Sequence, residues 1–244
     1  MLMSYIFREH IKQSLAVIAF LLTLTACTSE SYDAGDGPNS YLTADLVLLH
    51  TSQDKSVRSA LLDDGTTLQF SNPFAQDWLT RPDSVYRALL YYDKTVAASD
   101  AAASNPTATS IVRARSVSPV SVLRPVEAED METLRTDPVG FESLWMSKNK
   151  SYINLSLLLK SGKTEADDAL HALGIVSHGT TTDADRRRTL HLTLYHDQGG
   201  VPAYYTVQQY VSIPTQLLEK ADTVELTLNT YNGKNVVKVA VSNL

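Results

Sequence analysis

The sequence is poorest in cysteine: Cys27 stands alone in 244 residues. With no second thiol an intramolecular bridge is excluded. The single sulfur is left as a nucleophile, a metal ligand, half of an intermolecular disulfide, or a site of covalent modification. Long apolar runs are lacking too. The run at residues 14–24 (SLAVIAFLLTL) falls well short of the roughly 20 residues a helix needs to span a bilayer, and no later stretch approaches it. Nor is there an excess of basic charge. Twenty-one Lys and Arg face 27 Asp and Glu, for a net charge of -6, so nothing calls for nucleic acid. The one basic cluster, Arg186-Arg187-Arg188, sits beside Asp183 and Asp185 and reads as a solvated loop. An apolar content of 43% is that of a globular chain with room for one large or two small domains.

What is present at the N-terminus has three zones. Arg8 and Lys12 supply positive charge, the short apolar run follows, and small residues close it, which is a secretory signal pattern. The junction Leu24-Thr25-Ala26-Cys27 resembles a bacterial lipobox, in which small residues admit the signal peptidase and the cysteine sulfur receives diacylglycerol. A catalytic thiolate would want a folded electropositive pocket, whereas Cys27 precedes the polar stretch TSESYDAGDGPNS. Lipidation is therefore the expectation. Diacylglycerol plus an N-acyl chain would hold the membrane stably, each buried methylene adding about 0.8 kcal/mol. Loss of residues 1–26 removes Arg8, Lys12 and Glu9, and so leaves 19 basic and 26 acidic residues. Residues 27–40 then form the lipidated cysteine and a flexible tether about 20 Å in span. Thr28 lacks the aspartate character of inner-membrane retention, which favours the outer membrane. Only Glu30 and Asp33 hint at a surface-export tract, so the periplasmic and external faces both stay open.

From Tyr41 the pattern alternates with period two, the sign of half-buried strands. In YLTADLVLLH, Leu42, Ala44, Leu46 and Leu48 share one face. SVRSALLDDGTTLQF reads as strand, Asp64-Gly65 turn, strand. Two further strands, at 84–93 and 109–120, flank a long Ala/Ser/Asn/Pro loop. About five short strands over 41–124 suggest a small OB-like barrel. Residues 125–143 carry helical texture and read as a connector with a short helix ended by Pro138-Val139-Gly140. Over 144–244, about six or seven strand patterns close with a hairpin at Asn232-Gly233, and Pro214 opens one or two helical turns at 213–222. That spacing predicts an antiparallel β-sandwich. The fold class expected is all-β, an N-terminal barrel followed by a C-terminal sandwich.

Several of these stretches together resemble the NigD-like lipoproteins of Bacteroidetes: the lipobox and tether, YLTADLVLL, LLDDGTTL, SLWMSKNKSYINLSLLLKSG and SIPTQLLEKADTVELTLNTYNGKNVVKVAV. The resemblance implies an OB-like domain and a β-sandwich, and association with a bacteriocin gene cluster. It carries no established molecular activity. The long insertion at 95–108 and the few acids after Cys27 depart from it.

Catalytic and metal motifs are sparse. HGTTTD (178–183) gathers a histidine, hydroxyls and an acid, but no serine sits in a Gly-x-Ser-x-Gly turn. A hydrolase acting on envelope polymer through His178, Asp183 and His196 is the catalytic alternative. His191 and His196, five apart, and His171 and His178, seven apart, point to opposite faces of a strand and suit no shared metal. A mixed site of His196, Asp197 and His178 lacks any motif spacing. Asp63-Asp64 and Asp167-Asp168 read as turn residues. No metal and no cofactor is expected. The remaining lead is aromatic: Tyr91, Tyr92, Trp145, Tyr204, Tyr205 and Tyr210, with Trp78, exceed what a core needs. Neighbours on a strand face opposite ways, so one of each Tyr pair should be exposed and available for recognition. The expected role is non-catalytic binding or structure in the cell envelope. The membrane is a partner through the lipid, an envelope protein or glycan is the candidate ligand, and a bacteriocin-associated accessory or immunity role is the further alternative.

Overall fold

The computed structural model describes residues 42–94, 110–163 and 170–241. The signal segment, Cys27 and its lipobox, the tether, the loop at 97–108 and Asp167-Asp168 lie outside the described residues.

Five strands, β1 (Leu42–Thr51), β2 (Val57–Leu62), β3 (Thr67–Phe74), β4 (Val85–Lys94) and β5 (Ser110–Pro119), form a closed barrel in the order β1-β2-β3-β5-β4. Closure comes from the long antiparallel pairing of β1 with β4, from Leu42↔Asp93 to His50↔Val85. Inside lie Val47 and Leu49 from β1, Ala60 and Leu62 from β2, Leu68 and Phe70 from β3, Ala88, Leu90 and Tyr92 from β4, and Val112 from β5. Each set keeps the period of two that a pleated strand imposes. β3 and β5 pair in parallel only from Leu68↔Ser110 to Phe70↔Val112. Beyond that point the Asn72 carboxamide stands in for a peptide: its Nδ2 donates to Ala114 O (3.1 Å) and its Oδ1 accepts from Ala114 N (3.0 Å). The turn after β2 uses Gly65 at φ +90°, a conformation that glycine adopts without steric cost.

The second body is a two-sheet sandwich. One sheet runs β14 (Gly233–Ala240), β13 (Thr223–Thr230), β11 (Arg188–Asp197), β10 (Ala172–Thr182), β7 (Pro125–Glu127). The other runs β6 (Ser121–Val122), β12 (Tyr205–Pro214), β9 (Tyr152–Ser161), β8 (Gly140–Met146). Leu123, Leu155, Leu157, Leu192, Ile213 and Leu226 lie in the core between them. The all-β expectation of barrel then sandwich holds, and the pairs β7–β10 and β6–β12 at the edges and β11–β13 in the interior add parallel pairings to the antiparallel plan.

Two local expectations are corrected, and a third, one or two helical turns opened by Pro214, is met in its shorter form. The connector at 125–143 is not a helix outside the sandwich. It supplies β7, a single 3-10 turn at Ala128–Asp130, and the first residues of β8. The Pro125-Val126 pair favours extended backbone, and the pairing with β10 outweighs a helical texture only a few residues long. The helical turns at 213–222 reduce to one 3-10 turn, Thr215–Leu217. In the last hairpin Thr230 pairs with Gly233, so Tyr231-Asn232 form the tip and Gly233, at φ +105°, closes it.

β9 explains how the two bodies meet. It is buried on both faces: Ile153, Leu155, Leu157 and Leu159 enter the sandwich core, while Asn154 and Ser156 point the other way. The barrel face they meet carries Leu48 and Leu46 of β1 opposite Arg87 and Leu89 of β4. Arg87 is the centre, with a side chain 1% exposed. Its Nη1 and Nη2 donate to Asp63 Oδ1 and Oδ2 (2.6 and 2.7 Å), its Nη2 also to Asn154 Oδ1 (3.0 Å), and its Nε to Ser212 Oγ (3.1 Å). Asn154 Nδ2 donates to Asp63 Oδ2 (3.0 Å), Ser212 Oγ donates to Asn154 Oδ1 (2.7 Å), and the Tyr152 ring lies 4.4 Å from the guanidinium. Asp63 was expected to serve its turn. Only Asp64 does so, by accepting from Thr66 N (2.9 Å), while Asp63 reaches across to the arginine. Breaking a buried pair from one side leaves an unpaired charge and costs about 3–5 kcal/mol. Arg87→Ala should therefore lower the unfolding free energy by about 3 kcal/mol or more in urea titration, and Ser212→Ala by about 1 kcal/mol. Equal small losses for both would remove the arginine from the centre of the junction.

Candidate functional site

The sandwich face turned to the barrel is read off three strands in register. Trp145, Asn154 and Ser212 form one row across β8, β9 and β12, and Ser143, Ser156 and Tyr210 form the next. A bulge in β8 between Phe141 and Ser143 shifts the alternation. Phe141, Leu144 and Met146 can thus all pack on the core, while Trp145 turns outward and Glu142 becomes the extra residue of the bulge, exposed. On the barrel, Tyr91 lies opposite Ala44, on the same face as Leu89 and Leu46.

These surfaces bound a cleft of about 350 Å³ lined by Tyr91, Trp145, Tyr210, Glu142 and Gln208, with Ala44, Leu46 and Leu89 on its apolar wall. Asp45, Asp63, Ser143 and Ser156 complete the lining. The volume is within the range of small-ligand sites. Trp145 and Tyr210 meet edge to face with centroids 6.4 Å apart. Glu142 Oε2 accepts from Ser156 Oγ (2.6 Å) and from Gln208 Nε2 (2.5 Å), and Gln208 Nε2 also donates to Ser156 Oγ (3.1 Å). Those bonds, Ser156 first and Gln208 second, hold the Glu142 carboxyl below the ordinary glutamate range. It stays ionised at neutral pH.

Of the six aromatic candidates, Tyr91, Trp145 and Tyr210 meet here. Tyr92 does not. It is 2% exposed within the barrel core, and its hydroxyl donates to Asp45 Oδ2 (2.8 Å). Burial first, then the hydrogen bond to Asp45, drives its phenol far up. Alternation on β4 sends Tyr91 out and Tyr92 in. Tyr204 and Tyr205 lie elsewhere, at the start of β12, and are 80% and 51% exposed. The one-in, one-out rule fails for that pair because Tyr204 precedes the strand. Trp78 packs edge to face on Tyr86 (5.9 Å) at the barrel.

The catalytic trio suggested by sequence is not assembled. His178 pairs with Thr193 Oγ1 (2.9 Å) on the exposed side of β10. His196 is 1% exposed, bonded to Asp137 O (2.9 Å) and to His171 Nδ1 (3.0 Å). Asp183 accepts from Asp185 N and Arg187 N (2.9 Å each) and so closes its own loop. The mixed metal site of His178, His196 and Asp197 fails with it: Asp197 pairs with Arg135 (3.2 Å). Among the described residues no group of three or more His, Cys, Asp or Glu could hold an ion.

One relay escaped sequence reading. Thr181 Oγ1 lies 2.7 Å from His191 Nε2, and His191 Nδ1 lies 3.1 Å from Glu225 Oε1, whose other oxygen pairs with Lys238 Nζ (2.9 Å). Acyl transfer would also need backbone N–H donors converging near the hydroxyl. Here Thr181 itself sits in ladder register, Thr180↔Leu190, Thr181↔Thr189 and Thr182↔Arg188, just past an irregularity between Ser177 and Thr180. The array is a cross-strand polar ladder. Lys238 first, with His191 behind it, pulls the Glu225 carboxyl below its ordinary 4.5. A depressed folded-state pKa contributes stability above the unfolded value and loses it as pH falls through the folded one. Stability should therefore decline on acidification below about 4.5, and Glu225→Gln should flatten that decline in denaturation curves taken across pH. An unchanged slope would separate Glu225 from it.

Residues 122–241 match the family model of the NigD-like C-terminal beta sandwich domain. No curated protein matches the chain. Among solved structures, a NigD-like immunity protein from Bacteroides caccae aligns with a TM-score of 0.59 at 22% identity, over 81% of this chain and 91% of that one. A candidate lipoprotein from Bacteroides fragilis aligns with a TM-score of 0.57 at 14% identity, over 82% and 98%. A candidate toxin-related protein from Parabacteroides distasonis aligns with a TM-score of 0.53 at 20% identity, over 81% and 92%. At such identities the likeness is one of fold.

Proposed function

We propose that this chain, which belongs to the NigD-like family, is a lipid-anchored protein of the cell envelope that acts by binding, and that the barrel–sandwich cleft is its binding site. The observation that carries the reading is the convergence of Tyr91, Trp145 and Tyr210, from both bodies, on a concavity of ligand size. Such rings supply large contact area at low conformational cost, which suits recognition. The hydrolase alternative has less support, because His178, Asp183 and His196 each serve a different local network.

The anchor rests on Leu24-Thr25-Ala26-Cys27 and is supported by the fold shared with a candidate lipoprotein. Among the described residues no helix is long and apolar enough to cross a membrane. The outer membrane is the proposed location, and an envelope protein or glycan is the proposed partner. The fold shared with an immunity protein supports a second reading, protection against a bacteriocin; a deletion strain with unchanged bacteriocin resistance would remove it.

Two measurements test the main reading. Cys27→Ala should abolish fatty-acid labelling and detergent-phase partition, and a variant that still labels sinks the anchor. In a Trp78→Phe background Trp145 is the sole indole. Its emission should respond saturably to at least one member of a panel of peptides and envelope oligosaccharides, and Tyr210→Ala should weaken that response roughly ten-fold. Silence across the panel overturns the binding reading.

A further inference from the structure

The charged groups that line the cleft are all acidic: Asp45, Asp63 and Glu142. No lysine or arginine is among the lining residues. Two of the acids already have strong internal partners, Asp63 with Arg87 and Asp45 with the Tyr92 hydroxyl. Glu142 is different. Both of its hydrogen bonds fall on Oε2 and come from neutral groups, so its negative charge is uncompensated within this network.

The same bonds decide what the cleft can offer. The Ser156 proton is engaged by Glu142, and Gln208 Nε2 by Glu142 and Ser156. Apart from the Ser143 hydroxyl and the N–H and O–H groups of Trp145, Tyr91 and Tyr210, the polar side-chain atoms left for a ligand are acceptors. An anion finds no cation here and meets a carboxylate. A sugar hydroxyl brings donors and acceptors together, and its acceptors would depend on Ser143 and the ring edges. Ammonium and guanidinium groups carry donors only. They also gain from aromatic faces, by about 0.5–2 kcal/mol according to how far they are desolvated.

We infer that the cleft recognises a basic side chain, arginine or lysine, presented by a peptide or protein in extended form, with Glu142 as its ion-pair partner and Trp145 and Tyr210 as its aromatic walls. The inference rests on the binding reading above and specifies its ligand. Charge complementarity selects the occupant, and the open cleft between two sheets admits a chain that continues on either side of the basic residue.

The test uses the Trp78→Phe protein and the emission of Trp145. The probes are the pentapeptide Ala-Ala-Arg-Ala-Ala, its Lys, Gln and Glu counterparts at the central position, and a neutral chito-oligosaccharide. The Arg and Lys peptides should bind saturably and the Gln and Glu peptides about ten-fold more weakly or not at all. Raising salt from about 50 to about 500 mM should weaken the basic peptides several-fold. Glu142→Gln should reduce their affinity about ten-fold while its urea midpoint stays near that of the parent, since the bonds from Ser156 and Gln208 can persist to the amide oxygen. Binding of the oligosaccharide or the Gln peptide as tightly as the Arg peptide, without salt dependence, would overturn the ligand class and leave the cleft as a binding site. Silence of every probe would overturn both.

Discussion

An arginine with a 1% exposed side chain must be satisfied on every side, and much of the molecule is arranged around that demand. Asp63 comes from the first hairpin, Asn154 from the central strand of the sandwich, Ser212 from the strand beside it, and Tyr152 covers the guanidinium plane. The three hydrogen-bonding partners come from three separate elements, and Tyr152 shares β9 with Asn154. The bonds therefore fix the rotation of barrel against sandwich more narrowly than apolar contact would, because hydrogen bonds are directional and burial is not. A hydrophobic residue of similar volume could stabilise such a junction as well. What the arginine adds is a single permitted alignment.

That alignment creates the cleft. Asp63 is both a partner of Arg87 and part of the cleft lining, while Tyr152 lines a second depression on the far side of the junction. The knot is the partition between the two. Tyr91 is carried by the barrel, Trp145 and Tyr210 by the sandwich, so their spacing is set by the docking of the bodies. Function, on this account, resides in neither fold alone, in keeping with the general rule that sites are grafted on folds.

The pattern in the sequence was sufficient for the strands, because period-two alternation is a local consequence of the pleat. It also located the hairpins, where Gly65 and Gly233 take up the positive φ, though it set the tip of the last one a residue too late. It misjudged 125–143, where a short helical texture yields to strand pairing with partners about fifty residues away. The site was half legible. Tyr91, Trp145 and Tyr210 were visible as surplus aromatics, but Tyr92, Tyr204 and Tyr205 carried the same signal and have other positions. Glu142 left no trace, since its exposure follows from a bulge that depends on β9. One clue did stand in the text: Asn154 and Ser156 interrupt the apolar run of YINLSLLL at alternate positions, the mark of a strand whose second face meets a polar surface. The Thr181–His191–Glu225 ladder needed three strands in register before it could be seen at all.

The double burial of β9 sets where the chain can drift. From Ile153 to Leu157 consecutive side chains enter either the sandwich core or the junction, so substitutions of either parity disturb packing or a hydrogen-bond partner. β14, by contrast, leaves alternate positions to solvent along its length and pairs on one side only. Sequence change should accumulate on β14 and stall on β9, and two chains that differ almost everywhere else can still share the short text of that one strand.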